Sequence, residues 1–203
     1  MPKNKTVWTI GYAGYPEPAD LFAVLQDKGV KLLVDVRSFP FSGIYPQYNK
    51  PAIAKLCKIN GIVYRHYDKE FGARQEEPEY LSDGQVDFEK FEKSEAFLEG
   101  IKKLDKALDM GYIPCLFCAE KNPLFCHRAI MVGKWLDDNG YNVRHIIPGQ
   151  ISSQEDIRNS LLQMYCPNIG QISLLEECLS EDEMAAKAYR IQNKHIGWKA
   201  EES

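Results

Sequence analysis

Short strand-like runs alternating with amphipathic stretches constrain this chain more than any other feature. Val30 to Val36 and Tyr112 to Phe117 are almost unbroken apolar runs, the pattern of strands covered on both faces. Val7 to Ile10, the alternating Ile62 to Tyr67, and Asn142 to Ile147 complete a set of five. Between them, apolar residues recur at helical spacing. Pro16 to Lys28 places Leu21, Phe22 and Leu25 on one face and stops at Gly29, and Pro51 to Asn60 opens on proline and closes at Gly61. In Val86 to Met110 the repeat is Phe97, Ile101, Leu104 and Leu108, whereas Gln75 to Gln85 shows no period and reads as a loop. Strand and helix in turn spell an α/β domain with a five-stranded, mostly parallel sheet and helices on both faces, Rossmann-like in outline. The domain is expected over residues 1–149. Residues 150–203 read as a helical extension, with helices from Ser153 to Tyr165 and Ser180 to Asn193, packed on the domain or on a second subunit. A homodimer is therefore open, with Leu174, Leu175, Cys178 and Leu179 as one apolar patch of the extension.

The chemistry concentrates in Cys118-Ala119-Glu120-Lys121-Asn122-Pro123-Leu124-Phe125-Cys126-His127-Arg128. Asn122-Pro123 reads as a helix start, asparagine at the cap and proline at the first position, with the helix running to about Asp138. Cys118 and Glu120 then leave the C-terminal end of a strand, and Cys126, His127 and Arg128 occupy the first turns of the next helix. Ligands bind in that crevice of an open parallel sheet, and helix amides favour an anion there and lower a nearby thiol's pKa.

Each candidate has a functional and a structural reading. Cys118 and Cys126 are a nucleophile or redox pair, or small buried fillers, the latter being the expectation for Cys115. Glu120 is a general acid or base, or a carboxylate at a helix entry; His127 shuttles protons, or hydrogen-bonds in the core. Arg37 and Arg128, at element ends on the same rim, suit phosphate or carboxylate, or form salt bridges to Asp35 and Glu120. Tyr12, His66 and Arg74 complete the rim. His145 and His195 are expected to be structural or on the surface. No metal is expected. Cys115 and Cys118, three apart on a strand, face opposite ways, and adjacent Cys126 and His127 on a helix diverge by about 100°. The spacing of a tyrosine-phosphatase loop is absent, since after five intervening residues Cys118 reaches Leu124 and Cys126 reaches Val132, not arginine.

Cys-Ala-Glu-Lys followed by Cys-His-Arg, together with Thr9-Ile10-Gly11-Tyr12 and Leu33-Val34-Asp35-Val36-Arg37-Ser38-Phe39-Pro40, resembles the bacterial and archaeal family called domain of unknown function 488. The resemblance covers roughly residues 6 to 148. It implies a fold and a set of motif residues, Gly11 and Tyr12 included, and no assigned reaction. Leu33 to Arg37 alone also looks like the strand motif of rhodanese domains.

Hydrophobic residues make up 44% and charged residues 27% of the chain, and the net charge is −4, so a polyanion would need a local basic patch. No apolar run approaches the ~20 residues of a membrane span. Met1-Pro2-Lys3-Asn4-Lys5 lacks the apolar core of a signal peptide, so a cytoplasmic protein with reduced cysteines is expected. The leading expectation is an enzyme for a phosphorylated or other anionic substrate and no cofactor. Arg37 and Arg128 hold the anion, with Gly11, Tyr12, Asp35 and Arg74 lining the site. Cys118, Glu120, Cys126 and His127 carry the chemistry. Aromatic residues from Phe41 to Tyr48 beside Arg37 suggest a nucleotide or nucleic acid. The alternatives are a non-catalytic anion-binding or thiol-redox-sensing module, a structural zinc, and a buried polar network that holds the rim.

Overall fold

Alternation along the central strands sorts the apolar side chains into two cores. The computed structural model describes residues 5–166 and 179–200. Its strands are β1 (Thr6–Gly11), β2 (Leu32–Asp35), β3 (Val63–His66), β4 (Leu81–Ser82), β5 (Gln85–Val86), β6 (Pro114–Cys118), β7 (Asn142–Ile147) and β8 (Gln150–Ser153). The α-helices are α1 (Pro18–Asp27), α2 (Lys50–Ile59), α3 (Asp68–Phe71), α4 (Phe88–Phe91), α5 (Glu95–Asp109), α6 (Lys134–Asp138), α7 (Gln154–Tyr165) and α8 (Glu181–Ile196). The main sheet has the order β3-β2-β6-β1-β7-β8, parallel throughout except for β8. Leu33, Cys115 and Phe117 face one way, against Leu21, Phe22 and Leu25 of α1 and Ile53 and Cys57 of α2. Leu32, Val34, Leu116 and Cys118 face the other way, with Phe97, Ile101 and Leu104 of α5 and Leu136 of α6. The result is a three-layer α/β/α arrangement, as the alternation of elements requires.

The sheet has six strands where five are expected. Gly149, at φ 81°, makes the turn after Pro148 that folds β8 back antiparallel onto β7, with Ile151 opposite Ile146. Beyond Gly149, Ile157 and Leu161 of α7 and Ala188 and Tyr189 of α8 lie in the same core as Leu116. Leu174, Leu175 and Cys178 lie outside the described residues. The single helix expected over Val86 to Met110 is two, because Ser94 turns extended and caps α5 by accepting the Phe97 amide. The loop expected over Gln75 to Gln85 contains most of a hairpin, β4 and β5, turned on Asp83 (φ 51°) and Gly84 (φ 71°). Aspartate–glycine is the pair that such a two-residue turn selects.

The largest departure lies in the helix expected from Asn122 to Asp138. Asn122 does cap, accepting the Leu124 amide, but the turn it starts is a single 3-10 turn, Pro123–Phe125. Cys126 is then extended (φ −138°, ψ 133°), and a π-helical segment, Arg128–Gly133, leads into α6. Wide π turns of this kind concentrate at functional sites. Among the described residues no helix is long and apolar enough to cross a membrane.

Candidate thiol site at the C-terminal edge of the sheet

Three adjacent strands end side by side: β2 delivers Asp35 and Arg37, β6 delivers Cys118 to Glu120, and β1 ends at Gly11, in register with Cys118. The backbone of Gly11 is ordinary extended chain (φ −119°), so the glycine is not there for its dihedral angles. It is there for space. A Cβ at Gly11 would stand 1.7 Å from the Glu120 carbonyl oxygen and 3.1 Å from Arg128 Nη2. The segment after β6 therefore presses onto β1, and Ala13 N–H donates to Ala119 O at 3.0 Å. Arg128 ties the same segment down, donating from Nη1 to Glu120 O at 2.6 Å and from Nη2 to Lys121 O at 3.3 Å.

Arg128 has no solvent exposure, and among the described residues no carboxylate pairs with it. A buried cation needs a counter-charge or neutral acceptors. Backbone carbonyls are one part of the answer, and sulfur is the other. Because Cys126 is extended rather than helical, its side chain and that of His127 converge instead of diverging. Cys118 Sγ, Cys126 Sγ and a His127 ring nitrogen all lie within 4.8 Å of one another. This overturns the geometric reason for expecting no ligand cluster here. His127 Nε2 lies 2.9 Å from Val36 O, which makes Nε2 the donor and points Nδ1 at Cys126 Sγ, 3.9 Å away. All three side chains are buried.

The two thiols are pushed apart electrostatically. For Cys126, burial raises the pKa, but the thiol hydrogen bond from Cys118 and the charges of Arg128 and His127 bring it well below the usual value. Cys118 moves well above it, first because it donates to Cys126 and then because of burial. His127 is raised: burial opposes its charge, and the neighbouring Cys126 sulfur outweighs burial. The surroundings thus favour the anion at Cys126 over the anion at Cys118, with the Arg128 charge among the causes.

Arg37 lies elsewhere. Its Nε and Nη2 fork onto both oxygens of buried Asp35 at 2.8 and 2.6 Å, and Tyr64 donates to the same carboxylate at 2.6 Å. Nη2 also reaches Tyr48 O, and the guanidinium packs over the rings of Tyr12 and Phe117. Those rings belong to the α1/α2 core, whereas Cys118 and Cys126 belong to the opposite one. The expected pair of rim guanidinium groups is therefore divided by the sheet and buried, not shared across one crevice. Each keeps one buried donor without a protein partner, Nη1 of Arg37 and Nε of Arg128.

The other candidates scatter. Glu120 contributes its backbone carbonyl, while its side chain is exposed. Tyr12 is buried, stacked on Tyr48 at 4.9 Å with Tyr45 edge-on. Of the aromatic residues after Arg37, Tyr48 turns inward and Tyr45 packs beside it, whereas Phe39 and Phe41 stay exposed. Arg74 is exposed, paired with Glu76 and stacked on Trp198. His66 sits at the end of β3, 2.8 Å from Arg37 O and 2.9 Å from Lys50 Nζ. Two imidazoles thus clamp consecutive carbonyls after β2, a detail without a local sequence signal. His145 is structural. Nδ1 accepts from Thr9, Nε2 donates to Gln154, and Gln154 continues to Ala129 O and the Tyr189 hydroxyl. Burial, then the Arg128 charge, lowers its pKa to about 4.

No curated protein and no solved structure matches the chain. The family model described as "Domain of unknown function DUF488" matches residues 17–135, which includes Asp35, Arg37 and the whole Cys118 to Arg128 stretch and leaves Gly11 and Tyr12 just outside. That span is more than half of the 203 residues, and the chain belongs to this family.

Proposed function

We propose that this protein is a cysteine-dependent enzyme acting on a small anionic substrate at the C-terminal edge of the sheet. The observation that carries the reading is the convergence of Cys118, Cys126 and His127 within 4.8 Å beside a buried arginine that has no carboxylate partner among the described residues. Cys126 is the attacking sulfur. His127, its tautomer fixed by Val36 O, accepts the thiol proton through Nδ1, and a third group that orients the base is the usual mark of an activated nucleophile. Cys118 stabilises the sulfur anion by donating to it, and Arg128 Nε offers a free buried donor to a substrate's negative charge. The substrate class rests on that one donor and not on a shared Arg37–Arg128 clamp. Burial of all three groups requires a small reagent or an opening of the 118–128 segment.

The test is alkylation of the reduced, chelator-treated protein with iodoacetate and iodoacetamide, read by mass spectrometry at each cysteine. Cys126 should label in the folded protein. Its preference for the anionic reagent should exceed that of Cys166, a partly exposed thiol far from Arg128 in sequence. A folded protein that labels at Cys166 and leaves Cys126 untouched refutes the nucleophile. Equal reagent preference at both sulfurs refutes the anionic substrate.

A further inference from the structure

We propose that Cys118 Sγ, Cys126 Sγ and His127 Nδ1 form a three-ligand site for a thiophilic divalent cation, Zn²⁺ foremost, and that a bound cation masks the Cys126 sulfur. The inference uses the side chains of the proposed function and regulates it, but the cation site stands whether or not the protein turns over a substrate.

Distances support the coordination. Tetrahedral zinc with bonds of roughly 2.3 Å to sulfur and 2.0 Å to nitrogen sets its ligand atoms about 3.5 to 3.8 Å apart. Cys126 Sγ and His127 Nδ1 are already 3.9 Å apart, and the three ligand atoms fit within 4.8 Å, so closing on the ion needs side-chain adjustments of only a few tenths of an ångström to an ångström. The imidazole is oriented as a ligating histidine should be. Its remote nitrogen is held by a backbone carbonyl at 2.9 Å, which fixes the tautomer and leaves the near nitrogen's lone pair on the sulfurs. Charge is accommodated as well: two thiolates and a divalent ion are neutral together, so Arg128 does not face a net positive centre.

The chain supplies these ligands in a way that only the extended Cys126 permits. A helical Cys126 would send Cys126 and His127 apart, whereas the break between the 3-10 turn and the π segment brings both against the end of β6. Cys115 takes no part, since it faces the other core. Among the described residues no other group of three such side chains comes together. Three protein ligands leave one position for water or a small anion, the ligand count of reactive rather than purely structural zinc sites. With the cation bound, the imidazole lone pair is taken and the Cys126 charge is shared with the metal, so metal binding slows alkylation.

The test uses the full chain with Cys166→Ser and Cys178→Ser, which leaves buried Cys57 and Cys115 as the remaining thiols outside the cluster. Reduced, metal-free protein is titrated with Zn²⁺ against a chromogenic chelator, and with Co²⁺ while its absorption is followed. One equivalent should bind, the Co²⁺ complex should show thiolate-to-metal charge transfer, and one equivalent of Zn²⁺ should slow alkylation of Cys126 at least tenfold. Cys118→Ser and His127→Gln should each weaken binding by more than the roughly 10- to 100-fold that loss of an outer-shell partner costs. Because a buried substitution can unfold the chain, the Co²⁺ spectrum of the protein with its cluster intact reads sulfur ligation independently. Binding well below one equivalent, or a Co²⁺ complex without charge transfer, overturns the inference. Stoichiometric Zn²⁺ with an unreactive metal-free Cys126 upholds the cation site and removes the enzyme. A reactive Cys126 with no Zn²⁺ binding does the reverse.

Discussion

Gly11→Ala tests whether the close approach of two chain segments builds the site. The backbone at Gly11 is extended, at φ −119° and ψ 121°, and alanine adopts it without strain. The whole effect must come from the added methyl, which would stand 1.7 Å from Glu120 O and 2.6 Å from its carbon. Ordinary contact begins near 3.4 Å, so the carbonyl has to retreat by roughly as much again as the present gap. That retreat breaks the 2.6 Å bond from Arg128 Nη1 and pulls on the 3.0 Å bond from Ala13 N–H to Ala119 O. A hydrogen bond to a charged donor contributes about 1.5–3 kcal/mol and a neutral one about 0.5–1.5 kcal/mol. Arg128 already has an unpartnered Nε, so no spare bond compensates. The expected loss is about 3 kcal/mol, measured by urea unfolding, with Gly43→Ala as the control because nothing stands within 4 Å of its added methyl. The folded remainder should also alkylate faster at Cys118, since the 118–121 segment is no longer pinned. A Gly11→Ala protein within about 0.5 kcal/mol of wild type, the range of surface substitutions, would refute the account.

Two predictions concern pH. His145 is held near pKa 4 against an ordinary 6.5, so the unfolded chain binds more protons between those values. Its contribution is therefore present above pH 6.5 and lost as pH falls toward 4, by at most ~3 kcal/mol at 1.36 kcal/mol per unit. An NMR titration placing His145 near 6.5 would remove this step. Glu92 runs the other way: burial, with Asp138 and Glu89 nearby and Lys134 opposing, raises it from 4.5 to about 8. The folded state then binds the extra proton, and stability falls as pH rises from 4.5 to 8. Glu92→Gln mimics the protonated acid. Between pH 6.5 and 8 it should gain on wild type by about 1–2 kcal/mol in unfolding free energy, the lower figure reflecting partial exposure. A variant whose advantage stays flat across that range would show that Glu92 is ionised throughout.

The layers were legible because they follow from local patterns. Val30 to Val36 and Tyr112 to Phe117 have no polar face, so they had to be central, and they are β2 and β6. Gln150 to Ser153 has no such signature. As an edge strand on β7 it is specified by the turn at Gly149 rather than by its own composition. Asp83-Gly84 did carry a hairpin signal, hidden because strands of two residues are too short to show a period. At the site, residue types were readable and roles were not. Glu120 is set beside a cysteine and looks like an acid–base group, yet what the fold uses is its carbonyl, which any residue possesses.

The same contrast explains the cysteines. Asn122-Pro123 is a sound helix start, and locally nothing tells a full helix from a single turn. The decision is made by Val36 O, 91 residues from His127, which captures the imidazole Nε2 and rewards the conformation that breaks the helix at Cys126. Burying Arg128 works in the same direction. A cation sealed under Glu120 and Lys121 is costly unless negative charge lies beside it, and a helical Cys126 would carry its sulfur away. The break, the buried arginine and the converging thiols are therefore one feature rather than three, and the segment that carries them lies in the space left by Gly11. A chain that keeps Cys118, Cys126, His127 and Arg128 but carries a side chain at position 11 should keep the residues and lose the site.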